Sequence, residues 1–183
     1  PWFPCKSAAP HSRTSGQMPN PPSTAQRRRL RFSSLNDIRS DLARVEAAHA
    51  GGSLGHLGRW PAGPILEHLG FAVGGSIDGI PAIRFPWFFR FGARRARAWV
   101  LNHPLKPGVK LNAEGEAAAW NPNTTFEDGL RMYLVQLDRA EVRPGKPNPA
   151  MNKRHPLFGA LMPEEWMLFH LRHAELHLGF VTL

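Results

Sequence analysis

Three histidines on the last predicted helix are the residues best placed to do chemistry. Trp166, His170, His173 and His177 follow one another at spacings of four, three and four residues, which puts all four on one side of an α-helix. A stripe at that spacing normally faces a core, where apolar side chains are expected and each imidazole would need a hydrogen-bond partner. Metal binding is the chemistry that suits such a row. Histidines four apart on a helix rise by about 6 Å, so both reach one ion at Zn–N distances of about 2.0–2.1 Å. His170 and His177, seven apart, are separated by about 10.5 Å of rise and share an ion poorly. The spacing therefore admits His173 with His177, or His170 with His173.

A third ligand must come from another element. His68 is the histidine set mid-helix within a second apolar stripe, and three neutral imidazoles would leave positions open for water or substrate. Against this stands a plainer reading: a lone histidine on an apolar face is more often a hydrogen-bonded core residue, and pairs four apart arise by chance in a chain with nine histidines. Glu67 and Glu175 adjoin the candidate ligands but point elsewhere on their helices.

These residues need helices to hold them. Ser34 with Asp37 forms an N-terminal cap ahead of Leu35, Ile38, Leu42 and Val45, which predicts a first helix over about 35–48. A second starts near Pro61 or Pro64 and runs through Ile65, Leu69, Val73 and Ile77 towards Pro81. The stretch 86–101 reads as a third helix or a broken one, and 102–123, rich in Pro, Gly and Asn, as a long surface loop. Thr124 or Thr125 with Asp128 opens a further helix along Phe126, Leu130, Tyr133 and Leu137. The last opens at Pro163-Glu164-Glu165 and is expected to run nearly to Leu183. Apolar and polar residues do not alternate as in strands, so the fold class is all-α: four main helices, with one extra short helix or a long loop between helices two and three.

Composition narrows the partners. The single cysteine, Cys5, rules out an internal disulfide and a Cys-rich zinc site, which leaves imidazole and carboxylate as ligands. The net charge of +9 is unevenly placed. Residues 1–33 hold six bases and no acid, residues 84–110 hold seven bases and no acid, and the remainder is slightly acidic. Residues 1–29 are expected to form a disordered tail, with 30–183 as the folded domain and Met18 as a candidate native start. The run Arg27-Arg28-Arg29-Leu30-Arg31-Phe32 resembles the opening of a twin-arginine export signal but lacks the apolar stretch that must follow. No apolar run is long enough to span a membrane, and the expected location is cytoplasmic. In Phe85-Pro86-Trp87-Phe88-Phe89-Arg90-Phe91 the aromatics are expected to pack the core while arginines snorkel to water, a reading preferred to nucleic-acid or membrane-surface binding.

The pieces Arg29-Leu30-Arg31-Phe32-Ser33-Ser34-Leu35, Trp60 with Ile65-Leu66-Glu67-His68-Leu69, His155-Pro156-Leu157-Phe158-Gly159, and Glu164-Glu165-Trp166 followed by His173-Ala174-Glu175-Leu176-His177-Leu178 occur in order. In these the chain, over about 27–183, resembles the DinB-like metal-binding four-helix bundles, within them the branch called domain of unknown function 1569. The resemblance implies an up-and-down four-helix bundle holding a divalent ion, usually zinc or nickel, through one histidine of the second helix and a His-x-x-x-His pair of the last. Carried onto this chain, those ligands are His68, His173 and His177. Two departures stand out: Met162 occupies the cap position where Ser or Thr is common, and the acidic or amide residues beside the final pair are reduced to Glu175.

Relatives in that superfamily include metal-dependent transferases of low-molecular-weight thiols, a thiol-dependent isomerase and hydrolases. The expected function is accordingly metal-dependent thiol transfer to a small electrophile, or hydrolysis, with His155 and His170 as acid–base or substrate-orienting groups near the mouth. The substrate is expected to be a small, anionic molecule steered by the basic segment, and a homodimer is compatible with the resemblance. The alternatives are a non-catalytic, metal-stabilised bundle and a basic nucleic-acid or membrane-surface binding module.

Overall fold

The computed structural model describes residues 27–80 and 83–183, so most of the expected tail lies outside the described residues. Helix α1 (Leu35–Ala50) begins where the sequence places a cap: the Ser34 hydroxyl accepts from the Asp37 N–H, and the Asp37 carboxylate accepts from the Ser33 and Ser34 N–H groups. Its apolar side, Leu35, Ile38, Leu42 and Val45, is buried. After a short strand β1 (Gly55–His56), helix α2 (Ala62–Asp78) starts behind Pro61 and is buried on nearly every side.

Three short helices follow, where the sequence suggested one or a loop: α3 (Trp87–Arg95), α4 (Arg97–Asn102) and α5 (Ala113–Ala119). Helix α5 lies inside the expected surface loop, and its start carries Glu114 and Glu116, acids that suit a first turn. Helix α6 (Phe126–Arg139) is capped by Thr125, whose hydroxyl accepts from the Asp128 N–H.

The chain then forms two small hairpins, β2 (Glu141–Arg143) with β3 (Lys146–Pro147) and β4 (Arg154–His155) with β5 (Gly159–Ala160). Helix α7 (Pro163–Leu178) ends earlier than the sequence suggested, and β6 (Val181–Thr182) pairs antiparallel with β1. The fold is thus mostly helical, and the all-α expectation is corrected by three two-stranded antiparallel pairs among the described residues. These strands are two or three residues long, too short for an alternating pattern to register.

The four longest helices enclose the core. Helix α2 packs most extensively on α6 and also meets α7, while α1 touches α6 and α7. Trp166, Tyr133, Leu66, Leu69 and Leu137 are fully buried among them. Close approach of α2 and α6 depends on glycine, since a Cβ on Gly129 would strike the Gly63 carbonyl oxygen and press on Leu66. Gly129→Ala is therefore expected to lower stability by about 2 kcal/mol; an unchanged urea midpoint would show that the helices separate freely.

The segment before α1 is strapped to the end of α7. The Arg28 guanidinium spans both Asp41 carboxylate oxygens at 2.8 and 2.9 Å and reaches the Val181 carbonyl at 2.7 Å, while its backbone N–H donates to Gly179. Arg27 donates to the Leu176 carbonyl and lies over the Phe180 ring. Buried Glu175 accepts from the Phe32 N–H at 2.6 Å and pairs with Arg172 at 2.9 Å. Two arginines of the run Arg27-Arg28-Arg29 are thus engaged within the fold. Met162 caps α7 without a side-chain bond, and the Glu165 carboxylate accepts from its N–H instead.

The aromatics of 85–91 depart furthest from expectation. Helix α3 has no buried residue, and Trp87, Phe88, Phe89 and Phe91 are all exposed. The helix is applied to the outside of the molecule, so these rings do not fill the core. No described helix is long and apolar enough to cross a membrane.

Candidate metal centre

Helix α2 supplies His68 and α7 supplies His173 and His177, one turn apart. The ligand nitrogens of the three lie within 4.8 Å of one another, so together they could hold a metal ion. His68 Nε2 and His173 Nε2 are 3.2 Å apart, close to the roughly 3.3 Å that two nitrogens adopt on a tetrahedral zinc at Zn–N distances of about 2.05 Å. The His173 and His177 rings stand perpendicular, with centroids 4.6 Å apart.

The orientation of His68 is held from behind. Its Nδ1 lies 3.1 Å from the Ala119 carbonyl oxygen, which can only accept, so Nδ1 carries the ring proton and Nε2 presents its lone pair to the other two histidines. The ring also stacks on Trp120 at 4.0 Å, and Trp120 stacks in turn on Trp60. Both Ala119 and Trp120 belong to the stretch read from sequence as a loop. The run Ala113-Glu114-Gly115-Glu116-Ala117-Ala118-Ala119, with strong helix formers and first-turn acids, was the signal available for α5.

Electrostatics favours neutral imidazoles. Burial pulls His68 from the ordinary 6.5 down to about 4, against a smaller opposing contribution from the Ala119 hydrogen bond. His173 and His177 are pushed well below 6.5, first by burial and then by neighbouring imidazoles, with Arg27 adding to the effect at His177. At neutral pH all three rings are therefore neutral, and each has one nitrogen lone pair to offer an ion. Two such lone pairs 3.2 Å apart repel unless a proton or a cation lies between them, and the buried Nδ1 of His173 has no hydrogen-bond partner among the described residues. Three neutral imidazoles form a borderline donor set suited to zinc, nickel, copper or ferrous iron.

The cluster sits in the wall of a cavity of about 740 Å³. Phe71, Phe85, Phe89, Trp99, Phe158 and Phe169 contribute to its largely apolar lining, and Lys106 is the one lysine or arginine in it among the described residues. His155 also lines the cavity. Its Nδ1 accepts the N–H groups of Leu157 and Phe158 at 3.0 and 3.2 Å, which leaves the ring proton on Nε2. Burial holds its pKa at about 3.

His170 is elsewhere. It is buried, does not line the cavity, stacks on Trp166 at 5.4 Å, and neither ring nitrogen finds a partner among the described residues. Glu67 accepts from the Thr124 hydroxyl and Glu175 holds the N-terminal strap, so neither carboxylate joins the cluster. A family model described as "Protein of unknown function (DUF1569)" matches residues 24–183. No curated protein and no solved structure matches the chain.

Proposed function

We propose, for a chain that belongs to the DUF1569 family of proteins of unknown function, that it is a divalent-metal protein of DinB-like four-helix architecture acting on a small, largely apolar molecule. Helices α1, α2, α6 and α7 are the four bundle helices in this reading, supported by their length and mutual packing. The observation that carries the function is the convergence of His68, His173 and His177 on one side of an apolar cavity, with Nδ1 of His68 tied to a backbone carbonyl. Zinc and nickel, the ions that the resemblance implies, are among those these ligands suit.

When bound, the ion would supply Lewis acidity and lower the pKa of a thiol or water, which supports thiol transfer to an electrophile or hydrolysis. The chain's own residues do the rest. The aromatic walls exclude water and bind the apolar body of the substrate. His155, with its proton on Nε2, offers a neutral hydrogen-bond donor to the cavity. Lys106 suits an anionic group at one end of the substrate, which retains the expected charge but confines it to one position.

The test compares zinc- and nickel-loaded protein on two panels, low-molecular-weight thiols with small electrophiles and simple esters with water. Ion-dependent thiol consumption supports transfer, and ion-dependent ester cleavage supports hydrolysis. A stoichiometric ion with no turnover on either panel would leave a non-catalytic, metal-stabilised protein in its place.

A further inference from the structure

Among the described residues, helices α3 and α4 carry the most exposed large aromatic side chains, of which Trp87 and Phe91 lie outside the cavity wall. Trp87 is 77% exposed, and Phe88, Phe89, Phe91 and Trp99 lie between 52% and 60%. Apolar surface concentrated in this way on a helical appendage marks an interaction site. Trp87 and Phe91 are one helical turn apart, and the Arg95 guanidinium sits over the Phe91 ring at 5.2 Å. Residues 84–110 contribute seven bases and no acid, and Arg84 and Arg95 are exposed.

We infer that this face docks on an anionic phospholipid surface, with Trp87 and Phe91 entering the interfacial layer and the arginines meeting lipid phosphates. Three observations select that occupant. The exposed arginines Arg84, Arg94 and Arg95 are complementary to anionic headgroups, whereas a second copy would set like charges against one another, and residues 1–26 bring Lys6 and Arg13 without an acid. The same segment walls the cavity through Phe85, Phe88, Phe89 and Trp99, so the docked face is continuous with an apolar chamber. Residues 84–99 contain no Ser, Thr, Asn or Gln, the uncharged side chains that share phosphate and base contacts with arginine in nucleic-acid sites. Docking would place the cavity against the membrane, where apolar and amphiphilic molecules are concentrated.

The inference does not depend on the metal, and vesicle binding is measured without it. The full chain is sedimented with vesicles of phosphatidylcholine alone and of equimolar phosphatidylcholine and phosphatidylglycerol, at low and at high salt. At least tenfold stronger partition onto the anionic vesicles is expected, weakened by salt. Trp87→Ala with Phe91→Ala should reduce it by at least tenfold, and Arg84→Gln with Arg95→Gln by roughly fivefold for each charge removed. All four side chains are exposed, so melting temperatures and zinc affinity should stay at wild-type values, which separates a docking defect from misfolding or a lost metal site. Equal partition onto both vesicle types, partition indifferent to either double variant, or tighter binding to oligothymidylate than to anionic vesicles would overturn the inference. The last result would assign the face to nucleic acid.

Discussion

Alanine at His68, His173 or His177 is expected to weaken zinc affinity by more than a hundredfold, measured by competition with a chromophoric chelator. Loss of a group that merely orients a ligand costs about 10–100-fold in affinity, and in the proposed site each of these three would supply a coordinating nitrogen itself. The three should not be equivalent. His68 is locked by the Ala119 carbonyl and the Trp120 ring, so its Nε2 would already be aimed when the ion arrives, whereas the His173 ring stacks on Phe169 and its Nδ1 has no hydrogen-bond partner among the described residues. Removing His68 therefore also removes the most preorganised ligand, and it should have the largest effect. Trp120→Ala should fall in the range of an orienting group, since it frees the His68 ring without deleting a nitrogen. His170→Ala is the control: its ring packs on Trp166 away from the cluster, and affinity should stay within a few-fold of the wild type. A large loss at His170 with none at His177 would move the site to the other pair that the spacing allows, His170 with His173.

That control shows how far periodicity carries. The stripe from Trp166 to His177 is legible in the sequence because one helix generates it, and the helix starts at Ser34, Thr125 and Pro163 are legible because caps and first-turn residues act locally. What a stripe faces is set by other elements. Trp166 and His170 lie in the core while His173 and His177 meet α2 and the cavity, although all four share one side of α7. His68 could be singled out as a histidine inside an apolar run, but the Ala119 carbonyl that orients it is a backbone atom fifty-one residues away and leaves no mark on residue type. The aromatics of 85–91 misled for the opposite reason. Their types suit a core, and only the placement of α3 outside the four long helices exposes them. The two-residue strands are fixed by chain reversals such as that at Gly159, whose φ of +81° suits glycine, and are too short for any pattern.

Acid should unfold the protein well before its carboxylates titrate, and His170 should account for a separable part of the effect. Its folded pKa is held at about 3 by burial, with the neighbouring His155 adding to the depression, against an ordinary value of 6.5. Between those values the unfolded chain takes up a proton that the folded chain refuses, so the stabilisation is complete above about pH 6.5 and is lost as the pH falls towards 3. At two pH units below the ordinary value one such group has withdrawn about 3 kcal/mol, a large share of the 5–15 kcal/mol typical of a domain. His155, also held at about 3, adds a loss of the same sign. Urea unfolding in the presence of chelator, which removes competition between protons and the ion, should therefore show stability several kcal/mol lower at pH 4.5 than at pH 7. His170→Phe separates the contribution. A phenyl ring is flat like imidazole and has no polar atom to leave unpaired, and neither nitrogen of His170 has a partner to lose among the described residues, so the variant should be about as stable as the wild type at pH 7. Because phenylalanine does not titrate, the fall between pH 7 and pH 4.5 should shrink by about 2 kcal/mol. An equal fall in both proteins would mean that water reaches His170 and that it titrates in the folded state.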